Sequence, residues 1–314
     1  MSPRWSNISS GLYTGGTSGL LSRLPLIGKL GRDELRVLVQ PHQLVLTRLG
    51  GWRKQRVICE DVITIARPSP AMAGDAGIPA PAIWQAALTQ LALALRDQAW
   101  QGCQPRVVLS NHLVRYVLIP WNASLSRPEE KHAFVRHCFT QAYGEPARQW
   151  DLRVSPAGYG QATIASGVDP ALLQALQHCF AEAGMRLQHI HPLLMQAINE
   201  TARQRSKRAG KGKRGTASAS GLCLAVLEQG RIAVLLQQDK QWRSVQCHSA
   251  HVDALPALIQ RDAILAGLDS QPWPVVVYSA EPGAPRVHIS GRALQQFSRE
   301  IPFVRQPGLA ETAS

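Results

Sequence analysis

Leu113-Val114-Arg115-Tyr116-Val117-Leu118-Ile119-Pro120-Trp121 opens the stretch that decides the fold, and that stretch runs on to Pro192. A strand is read at Val114–Ile119, and Pro120, which has no N–H to donate, closes it. A helix follows from about Glu129 to Tyr143, in which Ala133, Phe134, His137, Cys138, Gln141 and Ala142 share a face. Two strands come next, Trp150–Val154 and Tyr159–Ala165, joined by the turn Ser155-Pro156-Ala157-Gly158. Asp169-Pro170 supplies an N-cap and a proline at the first helical position. The helix they open, to Ala183, carries the apolar stripe Leu172, Leu173, Leu176, Cys179, Phe180 and Ala183, and Gly184 stops it. Leu187–Ile190 is the last strand. Strand, helix, strand, strand, helix, strand is the βαββαβ, ferredoxin-like order.

The two flanks of this stretch mirror each other. Before it lie strands at Leu35–Val39, Leu44–Leu49 and Arg56–Ile65, a helix at Ile83–Arg96 and a strand at Val107–Ser110. Gly50-Gly51 reads as a hairpin turn, and the four prolines between Arg67 and Pro81 mark a loop. The helix presents Trp84, Ala87, Leu88, Leu91 and Leu95 at helical spacing. After it lie strands at Leu222–Leu227, Ile232–Gln238 and Trp242–Cys247, a helix at Leu255–Ala266 and a strand at Val275–Ser279. Both flanks read βββαβ. Two such RNase-H-like halves with a module inserted in the first resemble the plan of an actin-like α/β protein. The expected division is a flexible tail at 1–33, the first half at 34–112 joined by helix 192–204, the inserted module at 113–191, a basic linker at 205–220, the second half at 221–306 and a C-terminal tail at 307–314.

The 314 residues carry a net charge of +13, and more than half of the excess sits in Arg203–Arg214, which has seven basic residues and no acidic one. Arg203, Arg205, Lys207, Arg208, Lys211, Lys213 and Arg214 are the candidate membrane-surface contacts. The competing reading is a solvated linker kept extended by its own repulsion. Nucleic acid is disfavoured, because the run has no aromatic side chain to stack on bases. The six cysteines are dispersed with no CxxC, as expected of small buried hydrophobes in a reducing compartment. His132 and His137 fall on different helix faces, whereas His189 and His191 would share a side of a strand, with no third ligand near them in sequence. No run approaches the roughly eighteen apolar residues of a membrane span, and the apolar segment Leu20–Ile27, broken by Arg23 and Pro25, is not a secretory signal.

Nucleotide-binding proteins of actin-like plan use two strand-turn-strand hairpins to approach the phosphates, with small residues that free backbone N–H groups and an aspartate that places a metal. Here the first hairpin reads Leu38-Val39-Gln40-Pro41-His42-Gln43, with no Asp, Gly, Ser or Thr, and Pro41 deletes a donor. The second reads Leu227-Glu228-Gln229-Gly230-Arg231, where the one glycine is what any hairpin uses. The late strand Val275–Gly283 has no Gly pair to make room for adenosine. No ATP, no other cofactor and no catalytic residue is expected. GxSxG, HExxH and Walker patterns are absent.

The run Val107–Trp121 and the passage Ala183-Gly184-Met185…His189-Ile190-His191-Pro192 resemble the degenerate actin-like cytoplasmic proteins of type IV pilus and type II secretion inner-membrane platforms, the PilM and GspL types. The resemblance covers about residues 35–280. It implies a non-catalytic scaffold, cytoplasmic and peripheral to the inner membrane, that binds the cytoplasmic tail of a bitopic pilus or secretion protein. The secretion type also implies contact with the assembly ATPase. The chain departs from the pilus type in lacking the nucleotide motifs, and from the secretion type in lacking a membrane span and periplasmic domain. The alternative expectation is an actin-like ATPase with altered motifs.

Overall fold

The computed structural model describes residues 33–51, 56–66, 83–125, 127–209, 221–268, 273–279, 287 and 294–298. The apolar segment 20–27, the proline-rich loop and the C-terminal tail lie outside them.

The first half begins with β1 (Glu34–Val39), β2 (Gln43–Gly50) and β3 (Arg56–Thr64), an antiparallel meander. Helix α1 (Gln85–Ala94) then crosses over to β4 (Gln104–Leu109), which pairs parallel with β1. The α1 residues Ala87, Leu88 and Leu91, with Leu95 just beyond, are buried as their spacing requires.

The central stretch supplies β5 (Arg115–Ile119), α2 (Pro128–Tyr143), β6 (Asp151–Val154), β7 (Thr163–Val168), α3 (Pro170–Glu182) and β8 (His189–Pro192), followed by α4 (Leu193–Ala209). The order of elements is as read, but the pairing divides it differently. β5, β7 and β6 make a three-stranded sheet of their own, whereas β8 pairs parallel with β4 and completes the five-stranded sheet β3-β2-β1-β4-β8. The expected ferredoxin-like module is therefore a βαββ insert, and α3 with β8 belongs structurally to the first sheet. The cause is the apolar stripe of α3. Leu172, Leu176 and Phe180 are buried in the same core as Leu88 and Leu91 of α1, so α3 lies on the first sheet and delivers the next strand beside β4. That is a parallel crossover interrupted by the insert.

Three local details also differ from expectation. β7 starts at Thr163 rather than Tyr159, because Gly158 and Gly160 (φ +74°) turn the chain and leave Tyr159 exposed. The buried face of α2 is Val135 and Phe139, flanked by Phe134 and Cys138, while Ala133, His137, Gln141 and Ala142 are exposed. Pro192 ends β8 instead of opening a helix, and α4 runs through Ala209, five residues into the expected linker.

The second half repeats the first. β9 (Gly221–Glu228), β10 (Arg231–Gln238) and β11 (Gln241–His248) form a meander, and α5 (Leu255–Leu265) crosses to β12 (Val275–Ser279). A fifth strand, β13 (Leu294–Ser298), completes the order β11-β10-β9-β12-β13. Its polar sequence, Leu-Gln-Gln-Phe-Ser, gave no strand signal. Alternation along β9 sends Cys223, Ala225 and Leu227 toward α5, into a core with Leu255 and Ile259. Leu222, Leu224 and Val226 point the other way, into the large core that also holds Leu35, Leu109, Leu194 and Ala197. The two halves thus share one apolar core, with the start of α4 in it. Gly221 is required by close approach, since a Cβ there would lie 2.4 Å from the Trp273 ring.

Candidate functional site

The floor of the cleft between the halves is built by two hairpin turns and the end of β4. The β1–β2 turn carries Gln40, whose backbone N–H donates to the backbone carbonyl of Gln43 at 3.1 Å. The β9–β10 turn follows Glu228, with Gly230 at φ +71°. Glu228 continues the row Leu222, Leu224, Val226 on the face of β9 that looks at the first half, so its carboxylate is carried into the interior, 7% exposed.

Glu228 is held there by donors from the first half. The backbone N–H of Asn111 donates to Glu228 Oε2 at 2.9 Å, and Gln40 Nε2 donates to Oε1 at 3.4 Å. The network continues outward on both sides. Gln43 Nε2 donates to Gln40 Oε1 at 2.7 Å, and Tyr116 Oη donates to Asn111 Oδ1 at 2.8 Å. Burial raises the Tyr116 phenol well above its ordinary range, with the Cys247 thiol and the Glu228 carboxylate adding to the rise, so it stays a donor. His112 Nε2 lies 3.0 Å from the carbonyl oxygen of Gln229, an acceptor, so the ring carries its proton on Nε2. Burial lowers the His112 pKa to about 4, and the ring is neutral at physiological pH. Its other contact is edge-on with His42, ring centroids 6.1 Å apart.

The two turns that would have to straddle a phosphate chain are therefore bridged by a buried carboxylate. The backbone N–H of Asn111 at the end of β4, suited to an anion, is already spent on Glu228. The sequence signal was present, a lone carboxylate in register with three buried apolar residues, but its significance depended on what faced it.

Of the seven candidate surface residues, four lie on α4. Arg203 and Arg205 stand exposed on α4, and Arg203 pairs with Glu200 one turn back at 2.7 Å. Lys207 and Arg208 lie on the last turn of α4, and Lys211, Lys213 and Arg214 fall outside the described residues. His189 and His191 do share a side of β8, with rings near parallel and centroids 6.1 Å apart. Among the described residues no group of three or more His, Cys, Asp or Glu is arranged to hold a metal. All six cysteines are free thiols. Among the described residues no helix is long and apolar enough to cross a membrane.

No protein-family model matches the chain, and no curated protein matches its sequence. Solved structures do. The cytoplasmic domain of EpsL, an inner-membrane component of the type II secretion system of Vibrio cholerae, superposes with a TM-score of 0.54 over 85% of this chain and 90% of that one, at 9% identity. A chain of the PilM–PilN type IV pilus biogenesis complex superposes with a TM-score of 0.51 over 78% and 81%, at 11% identity. The fold is actin-like. Each of its five-stranded sheets has the meander-then-crossover order of an RNase-H-like half, and the βαββ insert leaves the first actin-like half between β4 and α3.

Proposed function

We propose that this actin-like chain is a non-catalytic scaffold of a type IV pilus or type II secretion-like inner-membrane platform, binding the cytoplasmic tail of a membrane partner. The observation that carries the non-catalytic reading is Glu228. A buried carboxylate between the two turns repels phosphate, and the Asn111 N–H and the Gln40 side-chain amide are engaged with it. Opening the cleft for a nucleotide would break the hydrogen bonds that the Asn111 N–H and the Gln40 side-chain amide make to Glu228. The platform reading is supported by likeness of fold to EpsL and to PilM–PilN. On it the chain is cytoplasmic and peripheral to the membrane. The basic end of α4 and the residues after it face anionic lipid headgroups, and the assembly ATPase is a further partner.

The test is thermal unfolding of the whole chain with Mg-ATP, and separately with the N-terminal cytoplasmic peptide of a bitopic pilus protein. Ligand at one hundred times its dissociation constant adds about 2.7 kcal/mol to the folded state, an easily measured shift. A shift with peptide alone supports the scaffold. A shift with Mg-ATP overturns the non-catalytic reading and restores the ATPase alternative.

A further inference from the structure

β3 is the terminal strand of the first sheet, and among the described residues no strand pairs with its outer side. It is nine residues long and exposed along most of its length. Ile58 and Val62 are 53% and 47% exposed, whereas no large exposed apolar residue lies on the edge strands β8 and β11. Between Ile58 and Val62 stand Glu60 and Asp61, both exposed. The Ile65 N–H donates to the His42 carbonyl at 2.8 Å, so Ile65 faces β2. Alternation then turns the N–H and C=O of Thr64, Val62 and Glu60 to the open side. A long edge with apolar side chains is a template for another strand.

A second copy of β3 fits this edge badly. Antiparallel pairing of two such strands about their centres sets Glu60 and Asp61 of one against the same pair of the other, and like charges opposite each other destabilise a sheet. The edge suits a strand that is apolar and basic. The chain carries one. Residues 1–32 hold Arg4, Arg23, Lys29 and Arg32 and no acidic residue, and Leu20–Ile27 is an apolar run among them.

That segment joins the folded body beside β3. Asp33 accepts from Arg48 Nε at 2.8 Å, and Arg48 stands opposite Cys59 of β3. The Asp33 carboxylate and the Ile58 side chain bound the same space above Gly50. From Asp33 to a position outside β3 is three strand spacings, roughly 14 Å, and the stretch Gly28–Arg32 reaches about 16 Å when extended.

We propose that Leu20–Ile27 docks as an added antiparallel strand on the outer edge of β3, with Arg23 opposite Asp61. The direction follows from the connection. β1 and β3 run the same way, each antiparallel to β2, and a segment that ends beside the start of β3 before entering β1 runs against both. The register follows from Pro25, which has no N–H and suits an added edge strand only where that position faces outward. With Arg23 opposite Asp61, residues Leu20, Ser22 and Leu24 meet Thr64, Val62 and Glu60, whose backbone groups face the open side, and Pro25 is turned away from β3. Docked there, the segment closes an edge that would otherwise recruit foreign strands. The inference concerns the chain's own N-terminal segment and is independent of the scaffold reading.

The test is amide hydrogen exchange of the whole chain, read along β3. The expected result is that the Glu60, Val62 and Thr64 amides exchange about tenfold or more slowly in the wild type than in Arg23→Glu or Asp61→Arg. The double variant Arg23→Glu, Asp61→Arg regains the slow rate. The Ile63 amide, which faces β2, stays slow in every variant and reports that the sheet is intact. Fast exchange at Glu60, Val62 and Thr64 in the wild type overturns the proposal. So does slow exchange that ignores the charges at positions 23 and 61. Slow exchange that strengthens with protein concentration, alongside a dimer in sedimentation, overturns it in favour of the segment of a second copy. Exchange that slows only when a platform protein is added assigns the edge to that partner and overturns it too.

Discussion

Glu228 shows how one side chain ties two halves together. Its buried carboxylate accepts from Asn111 and Gln40 of the first half. Glu228→Ala would leave the Asn111 N–H and the Gln40 amide buried without that acceptor, at a cost of about 1–3 kcal/mol for each group left unsatisfied. The expected outcome is a lower denaturation midpoint in urea, and an unchanged midpoint would mean that water enters the cleft freely. The histidines set a pH dependence. His112 and His191 both have pKa values lowered from 6.5 to about 4, mainly by burial, with Gln229 opposing the shift at His112 and Arg106 reinforcing it at His191. The unfolded chain therefore binds protons that the folded chain refuses between about pH 6.5 and pH 4. Stability is full above that window and falls as the pH drops through it. Unfolding midpoints measured across the window should slope accordingly, and the slope should flatten in a His112→Asn, His191→Asn double variant. An unaltered slope in that variant would assign the dependence to other groups.

Among the elements, the division between β7 and α3 has the largest consequence. β5, β6 and β7 form a small sheet that packs with α2 around Ile119, Val135, Phe139 and Leu152, while Tyr116, Ile164 and Val168 join the large core. α3 and β8 are part of the first sheet and its core. Leu113 and Asp169, at the two ends of the insert, line one common cavity, so the chain leaves and re-enters the first half at neighbouring points. Replacing residues 115–168 with a short Gly-Ser linker should therefore yield a folded chain that keeps both five-stranded sheets. Replacing 115–192 removes β8 and the stripe of α3, and should yield no cooperative unfolding transition. Circular dichroism and thermal melts of the two deletions decide it. Equal behaviour of the two would mean that α3 and β8 depend on the insert for their place. At the start of α3, Asp169 accepts from the Ala171 N–H at 2.8 Å, so Asp169→Ala should cost about 0.5–2 kcal/mol in the urea midpoint of the whole chain.

For the molecule as a whole, the shared core and the bridged turns join the two halves. On the proposed function the charge excess meets a lipid surface. Vesicles with anionic lipid should retain the chain at low salt and release it as salt rises, since each Lys or Arg near such a surface adds roughly 1 kcal/mol that salt screens. Changing Lys207, Arg208, Lys211, Lys213 and Arg214 to Gln should abolish retention while leaving the melting temperature unchanged. Retention that survives both salt and these changes would assign it to an apolar surface instead.

Local chemistry was enough to place most elements. Apolar periodicity gave both βββαβ flanks to within a few residues, Asp169-Pro170 fixed the start of α3, and Gly230 fixed the β9–β10 turn, because each depends on neighbours in the chain. The same periodicity could not choose a partner for β8, since an edge strand pairs with whichever open edge the preceding helix brings it to, and that was set by α3 packing on α1. It did not reveal β13, whose sequence Leu-Gln-Gln-Phe-Ser has no apolar alternation. Gln40, Asn111 and Glu228 are far apart in sequence and acquire meaning only when the halves meet. Sequence determined the elements and the row of residues on each face; tertiary structure decided which edges pair and which polar groups face each other, because burial and hydrogen-bond satisfaction are properties of the assembled chain.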